Sequence, residues 1–454
     1  MKTILQDTAL LLFISFFFLF SNCSRTILGS GNGKISSPFE SVNVAYHDQV
    51  IDPVNGGEIQ LENGTQIQIP ENAFVDNTGK LVSAPVKIKY REFHNGAEIL
   101  ASGIPMKYKG GNFQTAGMFE IEGTTVDRQP VALAEGKSIT VNMASFVAGD
   151  QYKFYYFDES SGEWVERGKN SSRENPRKKA AIEQLGQMKE APLKPVRQSA
   201  NSPVFDLDVN LSAYPELQQF NGVVWQFAGT EEDADPEKYP WVFTEKWSSI
   251  QLNRADNAER NFTLDLKYDN KEFHTVVAPV LNGKYYRQAM ARFEKQMAEY
   301  EQAKDVRNNE EARLAKEADL LRTFSVNNFG IYNWDCLYKN QNDVVHVDAE
   351  FLLNKNIPGI NMDQVTVYLV TGNQRAVIPV SGYNRHDFMF NPEDDNRLVA
   401  ILPGDKIAIF RNTDFLALAA QLYPGKKEPY RFTLKVIDDQ IVTVANLENV
   451  LSSI

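Results

Sequence analysis

Five histidines, at 47, 94, 274, 346 and 386, are the side chains that exchange protons most readily near neutral pH, and their spacing decides what chemistry they could share. None begins a His-Glu-x-x-His helix and no two stand at metal-ligand spacing, which argues against a zinc hydrolase. No Gly-x-Ser-x-Gly elbow occurs, so a Ser-His-Asp triad has no positive support. Carboxylates crowd at Glu231-Glu-Asp-Ala-Asp-Pro-Glu237 and at Glu393-Asp-Asp395. Such hard oxygen ligands hold calcium in loops, but both runs lack the regular alternation and the glycine of a calcium hand. A carboxylate-dependent hydrolase would need two of these groups facing one another across a cleft, which linear order does not show. Trp225, Trp241, Trp247 and Trp334 could stack on sugar rings, although core packing explains them more simply. These residues point to no catalytic group, no metal and no cofactor, and the chain is expected not to be an enzyme.

The two cysteines carry a different chemistry. Cys23 closes the apolar run Leu10-Leu-Leu-Phe-Ile-Ser-Phe-Phe-Phe-Leu-Phe-Ser-Asn-Cys23, which follows a short start bearing Lys2. The uncharged stretch from Ala9 to Phe20 suits the core of a signal peptide and is too short to span a bilayer, which takes about 20 apolar residues. Leu19-Phe-Ser-Asn-Cys23 resembles a bacterial lipobox, with Asn22 where Gly or Ala is usual. That resemblance implies a diacylglycerol on the Cys23 sulfur, cleavage before it and acylation of the new N-terminus, a durable anchor because each buried methylene contributes about 0.8 kcal/mol. The alternative is ordinary secretion with cleavage nearby. With Cys23 lipidated, no intrachain disulfide can form. Cys336, among bulky neighbours in Tyr332-Asn-Trp-Asp-Cys-Leu-Tyr338, reads as a buried, inert thiol.

Composition bounds the rest. A formal charge of −12 leaves no surplus of cations to displace counterions from phosphates, so nucleic acid is not an expected partner. The length calls for two or three folded units, and the many Phe and Tyr residues favour strands. The expected fold is mainly β, with two or three β-sandwich-like modules and one long charged helix or helical hairpin inserted. Residues 1–22 read as signal peptide, and 23–40, with Gly29, Gly31 and Gly33, as lipidated Cys23 and a flexible tether. From 41 to 168, short alternating runs such as Thr65-Gln-Ile-Gln-Ile69 and Val86-Lys-Ile-Lys-Tyr90, with a tight-turn signal at Asn63-Gly64, predict a β-sandwich. Residues 169–203 read as a charged linker and 204–283 as a second β unit. Over 284–322 the period becomes helical, with Met290, Phe293, Met297 and Tyr300 at spacings of three and four, which predicts one long helix or a hairpin broken near Asn308-Asn309. That helix reads as a connector docked by one face or as an arm for a partner or self-association. Residues 323–454 read as a C-terminal β-sandwich-like unit.

Gly57-Glu-Ile-Gln-Leu-Glu-Asn-Gly-Thr-Gln-Ile-Gln-Ile-Pro-Glu-Asn-Ala-Phe74, with Val86-Lys-Ile-Lys-Tyr-Arg-Glu-Phe-His94 and Ser102-Gly-Ile-Pro-Met106, resembles a module of Bacteroidota cell-envelope lipoproteins. That module is similar to the β-sandwich interaction domain shared by ankyrins, netrin receptors and zonula-occludens scaffolds. The wording Phe329-Gly-Ile-Tyr-Asn-Trp-Asp335 resembles the same lipoproteins. The resemblance implies protein binding. It does not carry over the self-cleavage some members perform at a His-Phe-Ser bond, because this chain has Phe93-His94-Asn95 and Ala144-Ser145-Phe146. The expected function is a lipid-anchored envelope scaffold with a protein partner, attached to the membrane through its N-terminal lipid. A glycan-binding surface lipoprotein and a carboxylate-dependent hydrolase are the alternatives. Ser24-Arg-Thr lacks the acidic cluster associated with surface export in these bacteria, which favours an outer-membrane protein facing the periplasm over one at the cell surface.

Overall fold

The computed structural model describes residues 35–169, 171–187, 191–230, 234–255, 260–338, 344–380, 382–419 and 428–453. The stretch read as signal peptide, Cys23 and the first three acids of the 231–237 run lie outside them. The protein is mainly β, with its strands in several sheets. It divides into two compact units, one formed by the described residues up to Asn175 together with those from Ala318 onward, the other by Pro176–Glu317.

In the first unit, period-two patterning sets the two faces of each strand. Val86, Ile88 and Tyr90 are fully buried, while Lys87, Lys89 and Arg91 point outward between them. One antiparallel sheet runs in the order His47–Ile51, Val86–Phe93, Gly111–Thr125, Gly330–Leu337, Lys153–Asp158 and Glu163–Gly168. A second runs Arg173–Glu174, Leu320–Val326, Ile139–Ser145, Gln66–Ile69 and Gly57–Gln60. Ile88, Phe119 and Trp334 from the first sheet share one apolar cluster with Ile67, Val141 and Phe324 from the second. The Phe119 and Phe324 rings meet edge to face at 5.0 Å.

Two boundaries differ from the sequence reading. The segment read as the end of the helix and the start of a C-terminal unit instead forms strands Leu320–Val326 and Gly330–Leu337, which pair with strands lying between residues 111 and 158. Leu321, Phe324 and Val326 are buried, so a strand starts where helical periodicity was extrapolated. The tether also ends before 40. Phe39 and Val42 are buried, and the Glu40 and Ser41 amides donate to the Asp405 carboxylate at 2.6 and 2.8 Å.

The third large sheet of this unit runs Ala376–Pro379, Val367–Thr371, Arg397–Leu402, Lys406–Phe410, Glu428–Val436, Val345–Leu353 and Phe388–Phe390, with one parallel pairing, Val345–Leu353 against Glu428–Val436. Phe388, Phe390, Phe410, Phe415 and Phe432 form one of its cores. Val370, Val399, Ile407 and Ile409 join Phe93, Phe113 and Trp164 of the first sheet in another. The helix Gly96–Ser102 packs into that second core. It starts at a capping box in which the Asn95 side-chain oxygen Oδ1 accepts from the Ala97 and Glu98 backbone amides and the Glu98 carboxylate accepts from the Asn95 backbone amide. Gly96 is needed there, since a Cβ would lie 2.8 Å from a Val370 methyl.

The second unit holds an antiparallel sheet, Val204–Phe205, Val223–Phe227, Lys271–Leu281, Phe262–Tyr268 and Ser249–Arg254, over a core of Trp225, Val242, Leu264 and Phe273. The helix Gly283–Lys316 follows, continuous through Asn308-Asn309. Only Ala289 and Leu314 along it are buried. Phe293, Met297 and Tyr300 are half-buried.

The chain leaves and rejoins the first unit at one place. The Asn175 amide donates to the Asp319 carbonyl at 2.8 Å, and its side chain donates to the Ala318 carbonyl at 3.1 Å. Replacing 176–317 with a short Gly/Ser linker is therefore expected to leave a cooperatively unfolding first unit, read by circular dichroism and thermal melting. A chain ending at residue 317 is expected not to fold that unit. Cooperative unfolding of its first 175 residues would show that the returning strands are dispensable.

An aromatic cleft as candidate functional site

The groups singled out by sequence are held apart. His274 meets Asp265 at 2.5 Å, His386 meets Asp348 at 2.8 Å and His346 meets Asp387 at 3.4 Å, while His47 lies exposed on an outer strand. Among the described residues, no three or more His, Cys, Asp or Glu side chains gather where they could hold a metal ion. In the 393–395 run, Asp394 accepts from the Tyr338 hydroxyl and Asp395 pairs with Arg397 at 2.6 Å. Trp225 and Trp334 are core residues, and Trp241 and Trp247 pack half-buried against the second unit's core. Cys336 is half-buried rather than buried, its thiol 3.8 Å from the Gln114 carbonyl oxygen.

Three polar groups missed by sequence sit inside the first unit. The buried Glu92 carboxylate accepts from Thr65 at 2.5 Å, from Tyr90 at 2.7 Å and from Asn63, and its other contact is His94 at 2.8 Å. Burial pushes Glu92 up, but the His94 hydrogen bond and charge, with the Thr65 and Tyr90 hydroxyls, hold it below its ordinary value. Arg322, fully buried, donates to the Ser145 hydroxyl at 3.0 Å and to the Val147 and Gly149 carbonyls at 2.9 and 3.1 Å, between the Tyr152 and Trp334 rings. Asp335 is fully buried; Asn333 donates to one of its oxygens and the other has no hydrogen-bond partner. Burial raises Asp335 well above the usual carboxylate range.

A cleft encloses about 370 Å³ at the corner where the chain passes between the first unit's two facing sheets. Along Lys153–Asp158, Tyr155 and Phe157 enter the core shared with the third sheet, so Phe154 and Tyr156 turn to the opposite face. The neighbouring strand pairs Val165 with Tyr156, Glu166 with Tyr155 and Gly168 with Phe154, which leaves Arg167 as the extra residue of a β-bulge. The bulge lays the Arg167 guanidinium over the Tyr156 ring, 5.3 Å from its centre. Gly168, at φ +145°, supplies no side chain opposite Phe154, and a Cβ there would meet nothing within 4 Å.

The far wall is equally fixed. Gly330 lets Tyr156 lie against the backbone, where a Cβ would be 3.0 Å from the ring. Tyr156 meets Tyr332 at 5.1 Å, and Tyr332 stacks on Phe154 at 5.4 Å. The Tyr332 hydroxyl donates to the Asn328 carbonyl at 2.6 Å and pins the corner turn, leaving the Asn327 and Asn328 side chains on the rim with Ser325, Arg167 and Lys169. Burial pushes the Tyr156 and Tyr332 hydroxyls up, so both are neutral donors at physiological pH. Among the described residues no carboxylate lines the cleft, and the Trp334 indole N–H at its floor residue has no protein acceptor. A crevice in the second unit encloses only about 40 Å³, room for a few waters and no more. The cleft's walls lie far apart in sequence, and its local signals were the Tyr-Phe alternation at 154–157 and the glycine after Arg167.

No protein-family model matches the chain, and no curated protein or solved structure matches it.

Asp335 sets a pH test. Its folded value lies above its unfolded one, so its contribution to stability is present below the ordinary carboxylate pKa of about 3.9 and is lost as pH rises toward the folded value. Asp335→Asn is expected to melt a few degrees higher than the parent at pH 8 and at the same temperature near pH 4. An equal or lower melting temperature at pH 8 would show that Asp335 is ionised without penalty.

Proposed function

We propose that this chain is a non-enzymatic, lipid-anchored binding or scaffold protein of the bacterial cell envelope. In this reading Cys23 carries the lipid, the first unit's two facing sheets form a β-sandwich of the ankyrin and netrin-receptor type, and the protein stands on the outer membrane facing the periplasm. The observation that carries protein binding is a sheet edge that no other strand covers among the described residues. The outermost strand, His47–Ile51, has four of its five residues exposed, among them Val50. An edge of unpaired amides and carbonyls accepts an added strand from a partner, with affinity from main-chain hydrogen bonds and selectivity from alternate side chains.

Cell fractionation and in-cell crosslinking test it with the native chain, Cys23→Ala and Val50→Lys. The native chain is expected in the membrane fraction, crosslinked to a defined envelope protein. Cys23→Ala should be released, and Val50→Lys should stay anchored and lose the crosslink by about tenfold, the effect of 1.4 kcal/mol. Membrane association without Cys23 would remove the lipid anchor, and an unchanged crosslink with Val50→Lys would remove the edge. A second reading, a glycan-binding surface lipoprotein, is supported by the aromatic cleft, whose half-buried rings and rim amides suit a sugar.

A further inference from the structure

We propose that the cleft between Arg167 and Asn328 binds an acidic pyranose, a uronic acid unit of a polysaccharide. This rests on the glycan reading above and adds the charge of the ligand to it. Phe154 and Tyr156 are half-buried and leave part of their aromatic surface to the cleft, electron-rich surface that attracts the polarised C–H groups of a pyranose. Arg167 supplies the feature that a neutral sugar would not require. A β-bulge turns it out of the ladder and the Tyr156 ring holds it, so a planar fork matched to a carboxylate is placed before any ligand arrives. Preorganisation lowers the entropy lost on binding. Lys169 stands beside it with a second positive charge, while Asn327 and Asn328 bring donors and acceptors for ring hydroxyls.

Size and charge narrow the ligand. The enclosed 370 Å³ falls at the lower end of the roughly 300–1,000 Å³ of small-ligand sites, which fits one or two sugar rings rather than a folded partner. Two cations match the one or two carboxylates of one or two uronic acid rings, whereas a polyphosphate would call for more. The absence of a lining carboxylate among the described residues also leaves the ligand's own acid without a like charge against it.

Calorimetric titration of the mature chain with trigalacturonate and triglucuronate, each beside its methyl ester, tests the assignment. The acids are expected to bind with salt-sensitive affinity, and the methyl esters about tenfold more weakly. Arg167→Gln and Lys169→Gln, both at exposed positions, should each remove most of that difference, and Tyr156→Ala should abolish binding of both forms. Melting curves establish that each variant is folded, and the two exposed variants carry the test if Tyr156→Ala is not. Equal binding of acid and ester, lost in Tyr156→Ala, would overturn the acidic preference and leave the glycan reading standing. No binding of any sugar by the folded native chain would overturn both.

Discussion

The strand Gly330–Leu337 lies in the middle of a sheet whose other members all precede it by at least the length of the second unit. It bonds to Gly111–Thr125 on one side and Lys153–Asp158 on the other. Without it both neighbours would expose a full row of amides and carbonyls, and Trp334 and Tyr332 would leave the core they share with Phe119, Phe154 and Phe324. Truncating one such buried aromatic costs about 3–5 kcal/mol, a large share of a domain's stability. Loop-closure entropy explains why so long an excursion is tolerated, since each doubling of a loop adds only about 0.6 kcal/mol. The consequence falls on kinetics, because pairing across so wide a separation slows folding.

The same strand pair brings in the buried polar groups. Arg322 is held by a hydroxyl and two carbonyls, and its charge lies over two ring faces. Such groups tie Leu320–Val326 to the 145–149 turn in one geometry, because an apolar substitute would leave two carbonyls unbonded at about 1–3 kcal/mol each. Glu92 and His94 make a second tie with opposite pH dependences. Glu92, held low, contributes stability above about pH 4.3 that is lost as pH falls through its folded value. His94, which burial lowers but Glu92 raises further, contributes below about pH 6.5 and loses it as pH rises. The pair therefore supports the fold most between those two limits.

Local strand pattern was legible because its cause is local. Val86-Lys-Ile-Lys-Tyr90 alternates in sequence and in burial, and Asn63-Gly64 lie in the turn that joins Gly57–Gln60 to Gln66–Ile69. Partner choice was not legible, since the alternation of Phe324 and Val326 fits any sheet and nothing nearby names Ile139–Ser145 as its neighbour. The helix end was misplaced for a related reason: apolar residues at Leu314, Ala318 and Leu321 continue a helical spacing across a point where the backbone has already become extended. Phe39 was hidden inside a polar, glycine-bearing stretch, and the residues after it are bonded to Asp405, supplied from the far end of the chain. Cys23 is legible only as sequence chemistry, lying outside the described residues.

The cleft follows from the way two sheets are joined at a corner. At this corner the chain crosses between them after Glu163–Gly168 on the way out and at Asn327-Asn328 on the way back. A two-sheet core ordinarily fills such an end with large apolar residues. Here Gly168 is the residue paired with Phe154 and brings no side chain, and the residue displaced by the bulge is an arginine. Leaving aromatic surface half-covered forgoes burial worth roughly 25 cal/mol per Å². Exposed aromatic surface rimmed by polar groups marks recognition more often than poor packing. Every residue that keeps the cleft open is a local exception to good packing, and the Tyr332 hydroxyl, which could have been left to solvent, is used instead to fix its rim.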